Sequence, residues 1–208
     1  SPYRDMHMLI QNDYQFIPFH LAEDKDYTFT RKPVQHPFLD VLDLNSSLEE
    51  ANELQVYALM NRLQSLPVSA NKIVLGISGG LDSTLALLVS HQAMKKLNRS
   101  LSDIICVTMP AEVTSTETLE LSKKLMTALG VTQYEIPIKE AVDLHLKSID
   151  HDKKDVTYEN AQARIRTLIL MDLANKHGGF VLGTGDLSEI ALGFMTYNGD
   201  QMSMYAIN

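Results

Sequence analysis

Two stretches of this sequence gather glycines, hydroxyls and carboxylates at spacings that suit chemistry. The first is GISGGLDST, Gly76 to Thr84, where three glycines, two serines and a threonine surround one carboxylate, Asp82. It follows the apolar run Ile73-Val74-Leu75 and precedes a helical pattern. In a strand-to-helix turn, Ser78-Gly79-Gly80 lets backbone N–H groups converge without Cβ interference, and the helix starting near Asp82 adds its positive dipole end. The hydroxyls of Ser78, Ser83 and Thr84 add further donors. A phosphate-like anion fits such a loop. The loop lacks the Gly-Lys-Ser/Thr of a P-loop, and its glycine spacing is not the dinucleotide fingerprint. A carboxylate in the middle of such a loop repels a phosphate unless a cation intervenes. The plain structural alternative is an ordinary turn with Asp82 as a helix cap. The second stretch, VLGTGDLSE, Val181 to Glu189, is another Gly/Thr-rich loop after an apolar run.

Both loops need elements to hold them, and the pattern from Lys72 onward supplies strand, then helix, repeated. KIVLGI, DIICVTM, TQYEIPI and GFVLGT are short β-branched or apolar runs, consistent with strands buried on both faces. Between them lie helical stripes: Ala86, Val89, Ala93 and Leu97, then Leu121, Leu125 and Ala128. Upstream, Val56, Leu59, Leu63 and Leu66 predict an amphipathic helix ended by Pro67, with Asn45-Ser46-Ser47 offering its N-cap. A long helix is expected from about Thr157 to His177, stopped by Gly178-Gly179. This alternation implies parallel βαβ units with right-handed crossovers, hence an α/β fold: a doubly wound parallel sheet with flanking helices. In such sheets ligands bind beyond the carboxyl ends of the strands, near a topological switch point, where both loops fall. Residues 1–45, with Pro18, Pro33, Pro37 and a brief alternation in DYTFT, read as an arm or linker.

Composition narrows the partners. The chain has 208 residues, a formal charge of −8 and one cysteine. The acidic balance argues against general nucleic-acid binding, which draws on Lys and Arg. A lone cysteine, Cys106, excludes an intramolecular disulfide and reads as buried filler, and the histidines show no zinc spacing. No apolar run reaches the ~18 residues of a membrane span, and a reducing cytoplasm fits best.

The motifs together are more specific than either loop alone. SGGLDST resembles the pyrophosphate-binding loop of the N-type ATP pyrophosphatases, which have an adenine nucleotide alpha hydrolase-like, Rossmann-like fold. YENAQARIR, Tyr158 to Arg166, followed by VLGTGDLSEIALGFMTYNGDQMS, Val181 to Ser203, resembles NAD synthetases, specifically the glutamine-dependent kind with an attached glutaminase domain. The resemblance runs from about residue 38 to the end. It implies a carbon–nitrogen ligase: deamido-NAD, ATP and ammonia give NAD, AMP and pyrophosphate through an adenylated nicotinate carboxylate. It further implies that residues 1–45 are the end of a linker from a glutaminase domain, and that 46–208 is a synthetase domain lacking its final helices. A GMP synthetase or a non-catalytic nucleotide-binding module are the competing readings.

Residue by residue, the resemblance places ATP on Gly76, Ile77, Ser78, Gly79, Gly80, Leu81, Asp82, Ser83 and Thr184. Asp82 and Glu189 become the catalytic carboxylates that flank one Mg²⁺. Deamido-NAD falls to Asn160, Arg164, Glu189, Phe194, Met195, Thr196 and Tyr197. Ammonia-only synthetases carry lysine where this chain has Tyr197, which supports the glutamine-dependent branch. Arg166 is left as structural, and Met109-Pro110 lies in the region beside adenine. The family also forms homodimers, and Ile165 to Met171, apolar almost all round, makes the long helix the candidate interface.

Overall fold

The computed structural model describes residues 17–20, 30–32, 34, 39, 42–111 and 116–208. The chain divides into two compact units, Ser1–Pro37 and Phe38–Asn208. In the first unit, the described residues lie in no helix or strand. The strand expected in DYTFT lies, except for Thr30, outside the described residues.

In the second unit the chain runs α1 (Leu44–Ser65), β1 (Lys72–Gly76), α2 (Leu81–Lys96), β2 (Ile104–Thr108), α3 (Thr116–Leu129), β3 (Thr132–Glu135), α4 (Lys139–Ser148), α5 (Val156–His177), β4 (Gly179–Gly183), α6 (Leu187–Leu192) and β5 (Tyr205–Ala206). The sheet order is β3-β2-β1-β4-β5, and every pairing is parallel. Succession from β1 to β3 builds one side of the sheet, and β4 then pairs with the free side of β1. The switch point therefore lies between β1 and β4.

Alternation along the central strands feeds two cores. Ile73, Leu75, Ile104, Cys106, Phe180 and Leu182 face one side, packed with Val56, Leu59 and Leu63 of α1 and Ala86, Val89 and Ala93 of α2. Val74, Ile105, Val107 and Val181 face the other, against Leu173 and Ala174 of α5. Burial on both faces is why β1 and β2 read as continuous apolar runs. β3 departs from that expectation: it is an edge strand, half of its residues are exposed, and it ends at Glu135.

Three further details differ from the sequence pattern, each for a local reason. The cap of α1 is Asp43, whose carboxylate accepts from Ser46 N at 3.3 Å, so Asn45-Ser46-Ser47 sits inside the first turn. On α3 the buried stripe is rotated by one residue. Ser122 and Met126 are buried while Leu121 is 57% exposed and Ala128 faces out. The hydroxyl of Ser122 donates to Thr118 O at 2.8 Å, which lets a polar residue occupy the buried face and disguises it. α4, with Val142 and Leu146 buried four residues apart, and the two-residue β5 lie outside the elements expected from the sequence.

The ends of α5 follow the expected rules. Asp155 caps its start by accepting from Thr157 N, and Gly178 ends it at φ +68°. No side chain fits easily there, since a Cβ on Gly178 would lie 2.4 Å from Ser69 O. Much of the apolar girth from Ile165 to Met171 is covered within the chain, by the sheet and by α4, while Leu168 stays 55% exposed.

Because Leu75 is completely buried in the strand that both halves of the sheet share, Leu75→Ala should cost about 2–5 kcal/mol. Urea unfolding measures it, and an unchanged midpoint would contradict this placement of β1.

Candidate functional site

A cleft of about 430 Å³ opens at the carboxyl ends of β1 and β4. Its walls take in Gly76, Ile77, Ser78 and Ser83 from the first loop, Gly183 and Thr184 from the second, and Met109 and Pro110 after β2. One flank is α5, which contributes Ala163, Arg166, Thr167 and Leu170.

The first loop is shaped by its own serines. Ile77 N continues the sheet by donating to Val107 O at 2.9 Å. Ser78 Oγ accepts from Gly80 N at 3.2 Å, while Ser83 Oγ accepts from Ser78 N at 3.3 Å and donates to Gly80 O at 3.2 Å. These hydroxyls brace the turn in addition to lining the cleft. Gly79 has φ +88°, and a Cβ there would come within 2.3 Å of Thr118 Cγ2, so the bend is open to glycine alone. Gly80 caps α2 without any side-chain hydrogen bond, which leaves the first-turn amides without a side-chain acceptor. Asp82 is therefore not the helix cap. It stands exposed in the first turn.

The second loop leads into α6 through a capping box. Asp186 Oδ1 accepts from Glu189 N at 2.8 Å, and Glu189 Oε2 accepts from Asp186 N at 3.1 Å. One oxygen of Glu189 is thus committed to the helix start, and the carboxylate still has a second. The two loops are tied together by Asn208, whose Nδ2 donates to Asp82 O at 3.0 Å and to Thr184 O at 2.7 Å. No motif pointed to Asn208.

Asn160 and Arg164 do share one face of α5, and that face holds the segment after α6. Thr196 Oγ1 donates to Asn160 Oδ1 at 2.9 Å, and Arg164 Nε donates to Tyr197 O at 3.2 Å. Thr167 adds a bond to Gly199 O at 2.7 Å. Phe194 and Tyr197 are 77% and 76% exposed. Of the expected site residues, Gly76, Ile77, Ser78, Ser83 and Thr184 line the cleft. Gly79, Gly80, Leu81, Asp82 and Glu189 stand in the loops and first helical turns beside it, and Asn160, Arg164 and Phe194 to Tyr197 form a neighbouring group.

Arg166, which the sequence reads as structural, lines the cleft, as does Asp200. Arg166 stands three residues after Ala163 and four before Leu170, which line the same wall, a stripe that only the packing of α5 reveals. Burial lowers the pKa of its guanidinium, against the opposing influence of Asp200 and Tyr158. Cys106 is buried, and desolvation pushes its thiol up to about 12, so it is an inert core group. Among the described residues no group of three His, Cys, Asp or Glu converges. Two carboxylates completed by phosphate oxygens remain compatible with Mg²⁺, which rarely takes an all-protein cage. No helix among the described residues is long and apolar enough to cross a membrane.

Comparison with known proteins matches this geometry to one family. The chain is 43% identical to the glutamine-dependent NAD(+) synthetase of Mycobacterium leprae, over 99% of this chain and 31% of that protein. It is 38% identical to the one from Thermotoga maritima over 65% of this chain and 23% of the relative. The chain thus spans about a third or less of the curated relatives it matches. Among solved structures, the glutamine-dependent NAD+ synthetase from Acinetobacter baumannii in complex with ADP superposes with a TM-score of 0.70 at 30% identity, covering 77% of this chain and 30% of that one. The family model for NAD synthase matches residues 53–207, which takes in both loops, α5 and the switch point between β1 and β4, and the chain therefore belongs to the NAD synthase family.

Proposed function

We propose that this chain is the amidating portion of a glutamine-dependent NAD synthetase, converting deamido-NAD, ATP and ammonia into NAD, AMP and pyrophosphate. The observation that carries this reading is the cleft at the switch point, where the uncapped start of α2 and the Thr184 loop stand side by side. The relative from Acinetobacter baumannii in complex with ADP supports nucleotide binding in the family. A glutaminase domain in the same polypeptide would supply ammonia, in keeping with the names of the relatives, and the cytoplasm is the proposed compartment.

On this reading the substrate's own nicotinate carboxylate is the nucleophile. It attacks the α-phosphorus, pyrophosphate departs, and ammonia then displaces AMP from the activated acyl group. The protein mainly positions reactants and offsets charge, which is why no nucleophile–base pair is needed. Gly76 to Ser83 receive the pyrophosphate on backbone amides and the dipole of α2, and Thr184 contacts the nucleotide from the facing loop. Asn160, Arg164, Glu189 and the segment Phe194 to Tyr197 hold deamido-NAD, the aromatics offering a stacking face for the nicotinate ring. Asp82 and Glu189 hold Mg²⁺, which when bound would neutralise phosphate charge. Self-association through α5 belongs to the same proposal, supported by the exposed Leu168.

Mg-ATP should stabilise the chain, by about 2.7 kcal/mol at a hundredfold excess over Kd. Asp82→Asn should weaken ATP binding more with Mg²⁺ than without it. A melting curve unmoved by saturating Mg-ATP counts against the nucleotide site, and equal losses in the two conditions remove the metal role.

Arg164→Ala should lower deamido-NAD affinity by about tenfold, the scale of one charge-assisted hydrogen bond, and leave Mg-ATP affinity nearly unchanged. Equilibrium dialysis reads both. A parallel fall in the two affinities would show that Arg164 serves the whole cleft, and binding of XMP in place of deamido-NAD would favour a GMP synthetase.

Sedimentation at micromolar concentration should show a dimer, and Leu168→Glu should yield monomers. A monodisperse monomer of the unmodified chain at high concentration rejects the interface.

A further inference from the structure

The charge lining the cleft is sparse. Of the described side chains on its walls, Arg166 and Asp200 alone are charged, and no lysine is among them. A nucleotide with several negative charges, entering a chain whose formal net charge is −8, needs compensation on more than one side. The amide end of α2 and a metal held by carboxylates would act from the wall of the first loop. The opposite wall is α5, and its one charged residue in the cleft is Arg166.

The setting of Arg166 is unusual for a structural arginine. Its guanidinium is half-buried, and burial works against its charge. Asp200 opposes that effect from a distance, but its Oδ1 accepts from Thr196 N at 2.7 Å, and the two side chains form no ion pair. Among the described residues no hydrogen bond reaches the guanidinium. Arginine stays protonated under these conditions, and its planar fork matches a pair of phosphate oxygens better than any other side chain does. A purely structural arginine would be expected to bury its stem along apolar surface and send its head to water or to a carboxylate. This one instead borders the cleft beside the phosphate-type loop, with no carboxylate in ion-pair range among the described residues.

We propose that Arg166 is the phosphate-recognising residue of the α5 wall, its guanidinium binding oxygens of the nucleotide's phosphates opposite the Gly76 to Ser83 loop, with Asp200 as a countercharge on the cleft wall. This rests on the nucleotide reading given above. Arg166 thereby divides the work with the neighbouring Arg164, which holds the Tyr197 segment. The two arginines of one motif face different ligands.

Calorimetric titration of the chain with Mg-ATP, Mg-ADP and adenosine tests it. Arg166→Met keeps an unbranched apolar stem and removes the guanidinium, and should weaken Mg-ATP binding about tenfold or more while leaving adenosine binding unchanged. Arg166→Lys should recover part of the loss, because a point charge replaces the fork. Asp200→Asn should give a smaller loss, confined to the phosphorylated ligands. A folded Arg166→Met chain that binds Mg-ATP as the unmodified chain does overturns the proposal and leaves the nucleotide site standing. Equal losses for adenosine and Mg-ATP also overturn it, since they mark a change of shape and not of phosphate recognition. If the unmodified chain binds no Mg-ATP, the nucleotide reading itself falls, and this role falls with it.

Discussion

The parallel pairing of β1 with β4 is the contact on which the cleft depends. Lys72, Ile73 and Val74 stand in register with Gly179, Phe180 and Val181, so two loops more than 100 residues apart leave the sheet at the same end and side by side. Close approach is enforced at the strand's own glycines. A Cβ on Gly179 would lie 2.5 Å from Lys72 O, and one on Gly183 would lie 2.3 Å from Ser203 Oγ. The chain then returns as β5, pairing Leu182 with Tyr205 and Gly183 with Ala206. That return delivers Asn208 to the two carbonyls it bridges. Strand pairing, and not loop sequence, thus sets the separation of the two loops.

α5 is the second organiser, and it works on three sides at once. Leu173 and Ala174 pack on the sheet, and Ala161 packs against α4. Asn160, Arg164 and Thr167, spaced by four and three, hold Thr196, Tyr197 and Gly199. Ala163, Arg166, Thr167 and Leu170 face the cleft. Such a helix is apolar over much of its circumference, since each face meets a different neighbour. Its girth is explained largely inside the chain, which leaves Leu168 as the exposed apolar group from that stretch.

The parts of the fold legible in the sequence were those set by short-range rules. Strands buried on both faces, the stop of α5 at Gly178 and the turn through Gly79 follow from patterns within a few residues. What escaped was set by tertiary partners. β5, two residues long, exists because β4 has an open edge beside it. Ser122 hides a buried stripe because its hydroxyl is satisfied within the helix. The role of Asn208 comes from where β5 carries it, and that of Arg166 from which stripe of α5 faces the cleft; neither was visible in its immediate neighbours. The serines of the first loop were legible as donors, but not as braces for one another.

The absence of a lysine from the first loop then acquires a physical sense on the proposed reading. A P-loop lysine brings its positive charge within the same turn that binds the phosphates. Here that turn carries Asp82, a negative charge at the positive end of α2. The helix end tolerates it, because a carboxylate in the first turn is favourable to the dipole. The same carboxylate would repel a phosphate, however, so the loop alone favours the anion only when a divalent ion lies between them. A cation fixed on the far wall escapes this conflict. Placed on α5, Arg166 can attract phosphate without sitting beside Asp82, and Asp200 keeps its charge supported in a half-buried position. Separating the two kinds of positive charge makes the first wall conditional on metal and the second permanent. Metal-free nucleotide would then be held weakly from α5 alone, and the metal complex from both walls.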